Sequence, residues 1–213
     1  MKWGELLEIV GDEPVFETGL LLSGPVDPAD VRRQLSRWTA PGRLYQLRRG
    51  LYTLAPPYQK VKSHPFLVAN RMVRGSYVSL QSALAYHSLI PEYVAVTTSV
   101  ATARPGRWET PLGTYAFRHI KADLLYGYRL VHLGGGQRTF VASPEKALLD
   151  LVYLQPEGDA PPYLRELRLQ NLERLGLEEL ARLAERAHSP KLQRATAHIA
   201  EMAQAETLEY ETL

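Results

Sequence analysis

Cysteine is absent from the 213 residues, which removes disulfides, thiolate metal ligands and cysteine nucleophiles together and fits a reducing compartment. No apolar run approaches the ~20 residues of a membrane helix, and the segment 147–153 is broken by Asp150. The opening Met1-Lys2-Trp3-Gly4-Glu5 does not place a cationic stretch before an apolar one, as a secretory leader does. Internal repeats and low-complexity tracts are also missing. The expectation is a cytoplasmic protein without membrane association. Apolar residues at 45% and charged residues at 23% are ordinary globular proportions, against disorder, collagen or coiled coil. The length allows one domain or two modest ones.

Arranged chemistry is lacking too. Gly134-Gly135-Gly136 has no following Lys-Ser/Thr and no immediate helix, so it reads as a turn and not as a phosphate loop. Ser143-Pro144-Glu145-Lys146 has the Ser-x-x-Lys spacing of serine β-lactam enzymes but none of their companion motifs. It reads instead as a helix start, with a capping hydroxyl, Pro at the first position and Glu near the positive end. The six histidines show no pair at metal-ligand spacing; His119 and His132 lie on predicted strands that could meet, yet read as core or surface residues. No paired carboxylates stand out. Catalysis, a metal and a cofactor are therefore not expected. Twelve tyrosines invite a base-stacking role, but Tyr93, Tyr115, Tyr126 and Tyr128 sit in apolar alternations and read as core fillers.

What is present is an uneven charge. The net charge is +2, but residues 1–27 hold one lysine against six carboxylates. Residues 28–62 hold eight cations, six of them Arg, against Asp30 alone. The middle, 63–155, is moderately basic and the tail, 156–213, acidic. A dense arginine surplus attracts a polyanion, and the guanidinium fork suits phosphate and base edges.

Spacing places that surplus on local structure. Trp3, Leu6, Leu7 and Val10 predict a short helix ending at Gly11, and residues 14–22 read as a second short helix. Ser23-Gly24-Pro25 is a turn. Asp27 and Pro28 predict the N-cap and first residue of the next helix. There Val31, Leu35 and Trp38 form one apolar stripe, and at ~100° per residue Arg32, Arg33, Ser36 and Arg37 fall on the opposite face. Pro41-Gly42 stops it. Leu44 and Leu47, then residues 51–54, predict two strands around an Arg48-Arg49-Gly50 tip. Helix, helix, arginine-faced helix, arginine-tipped hairpin is the winged helix-turn-helix plan, in which a helix enters the major groove and the wing touches the backbone. After a linker at Ala55-Pro56-Pro57-Tyr58, helices are predicted at 64–74 and 80–89. Strands follow at 77–79, 94–100, 115–119 and 128–132. Residues 104–113 and 134–136 read as turns. Further helices are predicted at 143–154, 177–187 and 191–209, the last capped by Ser189, with a break at Pro161-Pro162.

Four stretches carry a resemblance: residues 35–54 (LSRWTAPGRLYQLRRGLYTL), 69–92 (ANRMVRGSYVSLQSALAYHSLIPE), 96–120 (VTTSVATARPGRWETPLGTYAFRHI) and 142–154 (ASPEKALLDLVYL). With them the chain resembles the AbiEi-like antitoxin and transcriptional regulator family of abortive-infection, type IV toxin–antitoxin systems. The resemblance implies an N-terminal domain that binds double-stranded DNA at promoter repeats and represses its own operon. It also implies a C-terminal domain that opposes a nucleotidyltransferase-like toxin without necessarily touching it. By position, Arg32, Arg33, Ser36 and Arg37 would be the recognition helix, and Arg43, Arg48 and Arg49 the wing. Lys60 and Lys62 extend the basic segment beyond it.

The expectation is thus an α+β protein, with a winged helix-turn-helix DNA-binding domain at 1–60 and a mixed α/β antitoxin domain at 61–213 ending in helices. Its function would be sequence-specific repression without catalysis. Two alternatives remain: an antitoxin whose basic surface masks an acidic toxin directly, and a winged-helix regulator with no toxin.

Overall fold

The helix that carries most of the arginine starts as its sequence dictates. In the computed structural model, which describes residues 1–23 and 25–211, Asp27 Oδ1 accepts from the Ala29 amide at 2.8 Å and Pro28 occupies the first position of α2 (Pro28–Thr39). The cap satisfies a donor that the helix itself leaves unpaired. The expected turn at Ser23-Gly24-Pro25 includes Gly24, which lies outside the described residues. Val31, Leu35 and Trp38 are buried, as the stripe predicts. They pack on α1 (Trp3–Val10) and on an antiparallel sheet of β1 (Phe16–Glu17), β3 (Leu51–Leu54) and β2 (Leu44–Arg48), in that order. Phe16 faces Tyr52 and Leu44 faces Leu54 in register. Gly50, at the hairpin tip, takes φ +83°, a conformation open to glycine at little cost.

The helix expected at 14–22 is not there. Residues Phe16–Glu17 form β1, and Thr18–Leu21 form a single 3-10 turn. Gly19 weakens a helix, and pairing with β3 offers these amides partners that a short helix could not. The Thr18 amide, for one, donates to the Gly50 carbonyl at 2.9 Å.

The rest of the chain builds a six-stranded mixed sheet with helices. Its elements are α3 (Pro65–Met72), β4 (Tyr77–Val78), α4 (Leu80–Tyr86), β5 (Val96–Ala101), β6 (Gly106–Thr110), β7 (Gly113–His119), β8 (Tyr128–His132), β9 (Arg138–Ala142), α5 (Pro144–Leu154), α6 (Pro161–Glu166), α7 (Leu177–Arg186) and α8 (Pro190–Glu211). The strand order is β6-β7-β5-β4-β9-β8, with β4/β9 and β5/β7 parallel. The molecule is α+β.

Sequence reading missed two strands and a helix. β6 lies in the stretch read as a turn. It is an edge strand with no buried residue, so it shows no apolar alternation, and Trp108 packs its ring over Gly106, where a Cβ would stand 2.5 Å from that ring. β9 hides its pattern because one of its inward residues is Thr139, whose hydroxyl donates to the Phe66 carbonyl at 3.1 Å. Pro161-Pro162, read as a break, instead opens α6, since proline fits a helix's first turn.

β4 is two residues long, yet it joins the halves of the sheet. Beyond its end the Asn70 side chain takes over: Oδ1 accepts from the Phe140 amide at 2.7 Å and Nδ2 donates to the Phe140 carbonyl at 3.5 Å. β4 and the start of α4 are pinned from beneath by α5. Asp150 is buried and accepts from the Tyr77 hydroxyl at 2.9 Å and the Ser79 hydroxyl at 2.7 Å. Lys146, one turn earlier and also buried, pairs with the other carboxylate oxygen and lies 4.8 Å over the Tyr126 ring. Burial pushes the Asp150 carboxyl above the usual carboxylate range, while the Lys146 ammonium and the two hydroxyls pull it back.

The two cores meet. Val15, Leu47 and Leu51 of the N-terminal sixty residues belong to the larger core, which otherwise comes from the residues that follow. The Ser63 hydroxyl donates to the Pro14 carbonyl at 2.7 Å, and Gln137 accepts from the His64 amide at 2.8 Å and donates to the Lys62 carbonyl at 3.0 Å.

Two predictions follow from these buried groups. Lys146→Met or Asp150→Ala alone leaves an uncompensated buried charge and should cost about 3–5 kcal/mol, whereas Lys146→Met with Asp150→Leu should recover most of that loss. Urea denaturation of the three variants checks this. The second concerns acid. His64 caps α3, with Nδ1 accepting from the Phe66 amide at 3.1 Å, which requires that nitrogen to be unprotonated. Burial lowers the pKa of His64, and mainly burial lowers that of His87, whose Nε2 sits 2.8 Å from the Ala142 carbonyl. Both bases are thus harder to protonate folded than unfolded, so the unfolded chain takes up protons first. Stability should be intact above about pH 7 and decline as pH falls through the unfolded histidine range near ~6.5. His64→Asn, which keeps an acceptor at the cap, should shrink the drop in melting temperature between pH 7.5 and 5.5.

Candidate nucleic-acid interface

The burial of Val31, Leu35 and Trp38 forces the other face of α2 outward. Arg32, Arg33, Ser36 and Arg37 are all exposed. Trp38 meets the Trp3 ring edge-on at 5.2 Å, and the Arg43 guanidinium lies 5.5 Å from the centre of Trp3. The apolar stripe thus also seats the first arginine of the hairpin. Arg33 pairs with Asp30 at 3.1 Å and Lys60 with Asp12 at 3.3 Å, and all four side chains are more than 60% exposed. Water and salt screen such pairs, so a phosphate can replace either carboxylate at little cost. Lys62 is exposed, and among the described residues only its carbonyl is engaged.

At the hairpin tip the two arginines differ in their contacts. The Arg48 guanidinium donates to the Met72 carbonyl at the end of α3. Arg49 is exposed and has no hydrogen bond or ion pair among the described residues. Behind the tip stand Arg71 and Arg74 of the α3 end; Arg74 pairs with Glu17 at 2.5 Å. These four arginines, with Glu17, Thr18 and Gly50, line a cleft of about 320 Å³.

The structure therefore brings Arg32, Arg33, Ser36 and Arg37 together on one helix face. It places Arg48 and Arg49 with two cations that sequence reading missed. Arg71 and Arg74 were hidden because they lie more than twenty residues downstream, within a stretch whose total charge is moderate. The only signal was their i, i+3 spacing on a predicted helix.

Among the described residues no group of His, Asp and Glu is placed to hold a metal ion. His119 on β7 and His132 on β8 are separated by β5, β4 and β9, so they do not meet. Ser143 Oγ accepts from the Lys146 amide at 3.2 Å, as a cap does. Tyr115 and Tyr126 fill the core, but Tyr93 is 92% exposed and Tyr128 37%, against the reading of all four as core fillers. Alternation alone does not reveal that Tyr93 precedes its strand and that β8 is an edge. Among the described residues no helix is long and apolar enough to cross a membrane.

No family model matches the chain, and no curated protein matches it.

The different settings of the tip arginines predict different effects on folding. Arg48→Ala should lower stability by about 1 kcal/mol, the usual worth of a hydrogen bond. Arg49→Ala, which breaks no contact, should stay within ~0.5 kcal/mol of wild type. Urea melts of the two variants distinguish them.

Proposed function

We propose that this protein is a sequence-specific double-stranded DNA-binding repressor whose first sixty residues act as a winged helix-turn-helix, and that it serves as the autoregulating antitoxin of a type IV toxin–antitoxin pair. The observation that carries the DNA-binding reading is the outward face of α2. Four hydrogen-bonding side chains, three of them Arg, stand on a helix whose back is locked by Val31, Leu35 and Trp38. The element order supports it: α1, β1, a 3-10 turn, α2, then the β2–β3 hairpin, with β1 completing a three-stranded sheet. In this reading α2 lies in the major groove, where Arg33 and Arg37 present planar forks to guanine O6 and N7. Arg32, Arg43, Arg49, Lys60 and Lys62 meet phosphates, which hold the protein in register without reading sequence. Arg48, held to Met72, fixes the height of the tip. The antitoxin role rests on the four resembling stretches, and its partner would be a nucleotidyltransferase-like toxin. The protein's own chemistry would be binding, without catalysis, cofactor or metal, in the cytoplasm.

The test is a salt titration by fluorescence anisotropy on a duplex from the protein's own promoter and on a random duplex. Arg33→Ala or Arg37→Ala should narrow the gap between the two duplexes, by about 1–3 kcal/mol for a lost bidentate base contact. Arg49→Ala should weaken both equally and flatten the slope of log K against log salt by ~0.9. Equal loss on both duplexes from every variant would remove the assignment of readers and clamps. Unchanged binding throughout would remove the DNA-binding reading. Co-purification with an adjacent toxin without salt-sensitive DNA binding would point to direct masking instead.

A further inference from the structure

A second cavity, of about 390 Å³, lies where the last turn of α3 faces the outer strands β8 and β9. Its lining combines exposed apolar side chains with arginines. One wall is apolar: Tyr128, Leu130 and Phe140 are 37%, 45% and 43% exposed, among the most exposed large apolar side chains described. Arg71 and Arg74 line the cavity from the end of α3, and Arg138 from β9. Ser76, 4% exposed, also lines it, and its hydroxyl is buried with no hydrogen-bond partner among the described residues. A buried hydroxyl without a partner carries a desolvation penalty that a bound polar group would relieve.

The apolar wall is prebuilt. Tyr128 lies flat against Tyr77, with ring centres 4.5 Å apart and planes 16° apart, and Tyr77 is fixed by its bond to Asp150. Phe140 meets Tyr128 edge-on at 5.6 Å, and its main chain is clamped by Asn70. A flat ligand stacking there immobilises little that is not already still, which keeps the entropic cost of binding low. On the cationic side, Glu17 neutralises part of Arg74, whereas Arg71 has no ion pair or hydrogen bond among the described residues. The same two arginines also line the cleft behind the hairpin tip, so an anion held by them lies between the two cores.

We propose that this cavity binds a free nucleoside phosphate, with the base against Tyr128, Leu130 and Phe140, a sugar or base polar group on the Ser76 hydroxyl, and the phosphoryl group on Arg71 and Arg74. Aromatic stacking plus a cationic anchor is the pairing by which proteins hold bases and their phosphates. The volume is in the lower range of small-molecule sites and takes one nucleotide, not a strand. A bare anion leaves the apolar wall unused, and an uncharged aromatic leaves the arginines unused. Such binding is distinct from repression and does not depend on DNA.

The experiment is isothermal titration of the full chain, without DNA, against ADP, GDP, adenosine, pyrophosphate and a hexanucleotide of single-stranded DNA. The expected result is saturable binding of ADP or GDP, with adenosine and pyrophosphate each at least about tenfold weaker, the equivalent of ~1.4 kcal/mol, and the hexanucleotide no tighter than the mononucleotide. Arg71→Ala and Phe140→Ala, both at exposed positions, should each weaken nucleotide binding by a similar factor. Ser76→Ala, which loses no protein contact, should melt like wild type and still bind more weakly. No saturable binding of either nucleotide overturns the proposal. So does pyrophosphate binding as tightly as ADP, a hexanucleotide binding more tightly, or variants that bind as wild type does.

Discussion

One buried carboxylate holds together what the larger sheet would otherwise leave loose. The halves of that sheet, β6-β7-β5 on one side and β9-β8 on the other, join through the two residues of β4. So short a strand contributes few ladder bonds, and Asp150 supplies the missing anchorage by accepting from Tyr77 within β4 and Ser79 just after it. A buried anion is tolerated only when its charge is matched, and Lys146 matches it from one helical turn away. Gly127 lets the backbone close over the lysine stem: a Cβ there would stand 3.0 Å from that side chain, and its φ is +70°. Tyr77 then carries the constraint outward, by stacking on Tyr128, to the surface of β8.

The N-terminal unit is tied to this frame at several points, which together restrict how it can move. Val15, Leu47 and Leu51 enter the larger core, Arg48 reaches the end of α3, and Glu17 pairs with Arg74. The hairpin tip therefore stands at a fixed height above α3. Arg71 and Arg74 line the same cleft as the tip arginines Arg48 and Arg49.

Much of the N-terminal architecture was legible because its signals are local. Asp27 and Pro28 mark a helix start, the Val31, Leu35 and Trp38 spacing sets its phase, and Gly50 marks the hairpin. What failed locally was the stretch 14–22, whose conformation is set by pairing with β3, Phe16 opposite Tyr52 and Glu17 opposite Leu51. In the larger unit β6 and β9 were illegible for the same kind of reason: an edge strand needs no apolar alternation, and Thr139 is buried because Phe66 accepts its hydroxyl. The outward arginines of α2 followed from helical phase. Arg71 and Arg74 did not, since their neighbours Arg48 and Arg49 join them only through tertiary packing. Tyr93 and Tyr128 misled because apolar surroundings in sequence do not say which face of a sheet, or which of its edges, lies open.

Asn70 has a wider consequence. A two-residue strand in the middle of a sheet leaves the longer neighbour with unpaired amides and carbonyls, and such a row is a template on which another extended chain can add itself. The Asn70 amide group carries one donor and one acceptor in a plane, the same pair a strand residue presents, and it meets both main-chain groups of Phe140. One side chain on a helix thus stands in for the missing residue of β4. The internal gap is closed to intermolecular pairing without lengthening the strand, and the cavity beside it keeps its width.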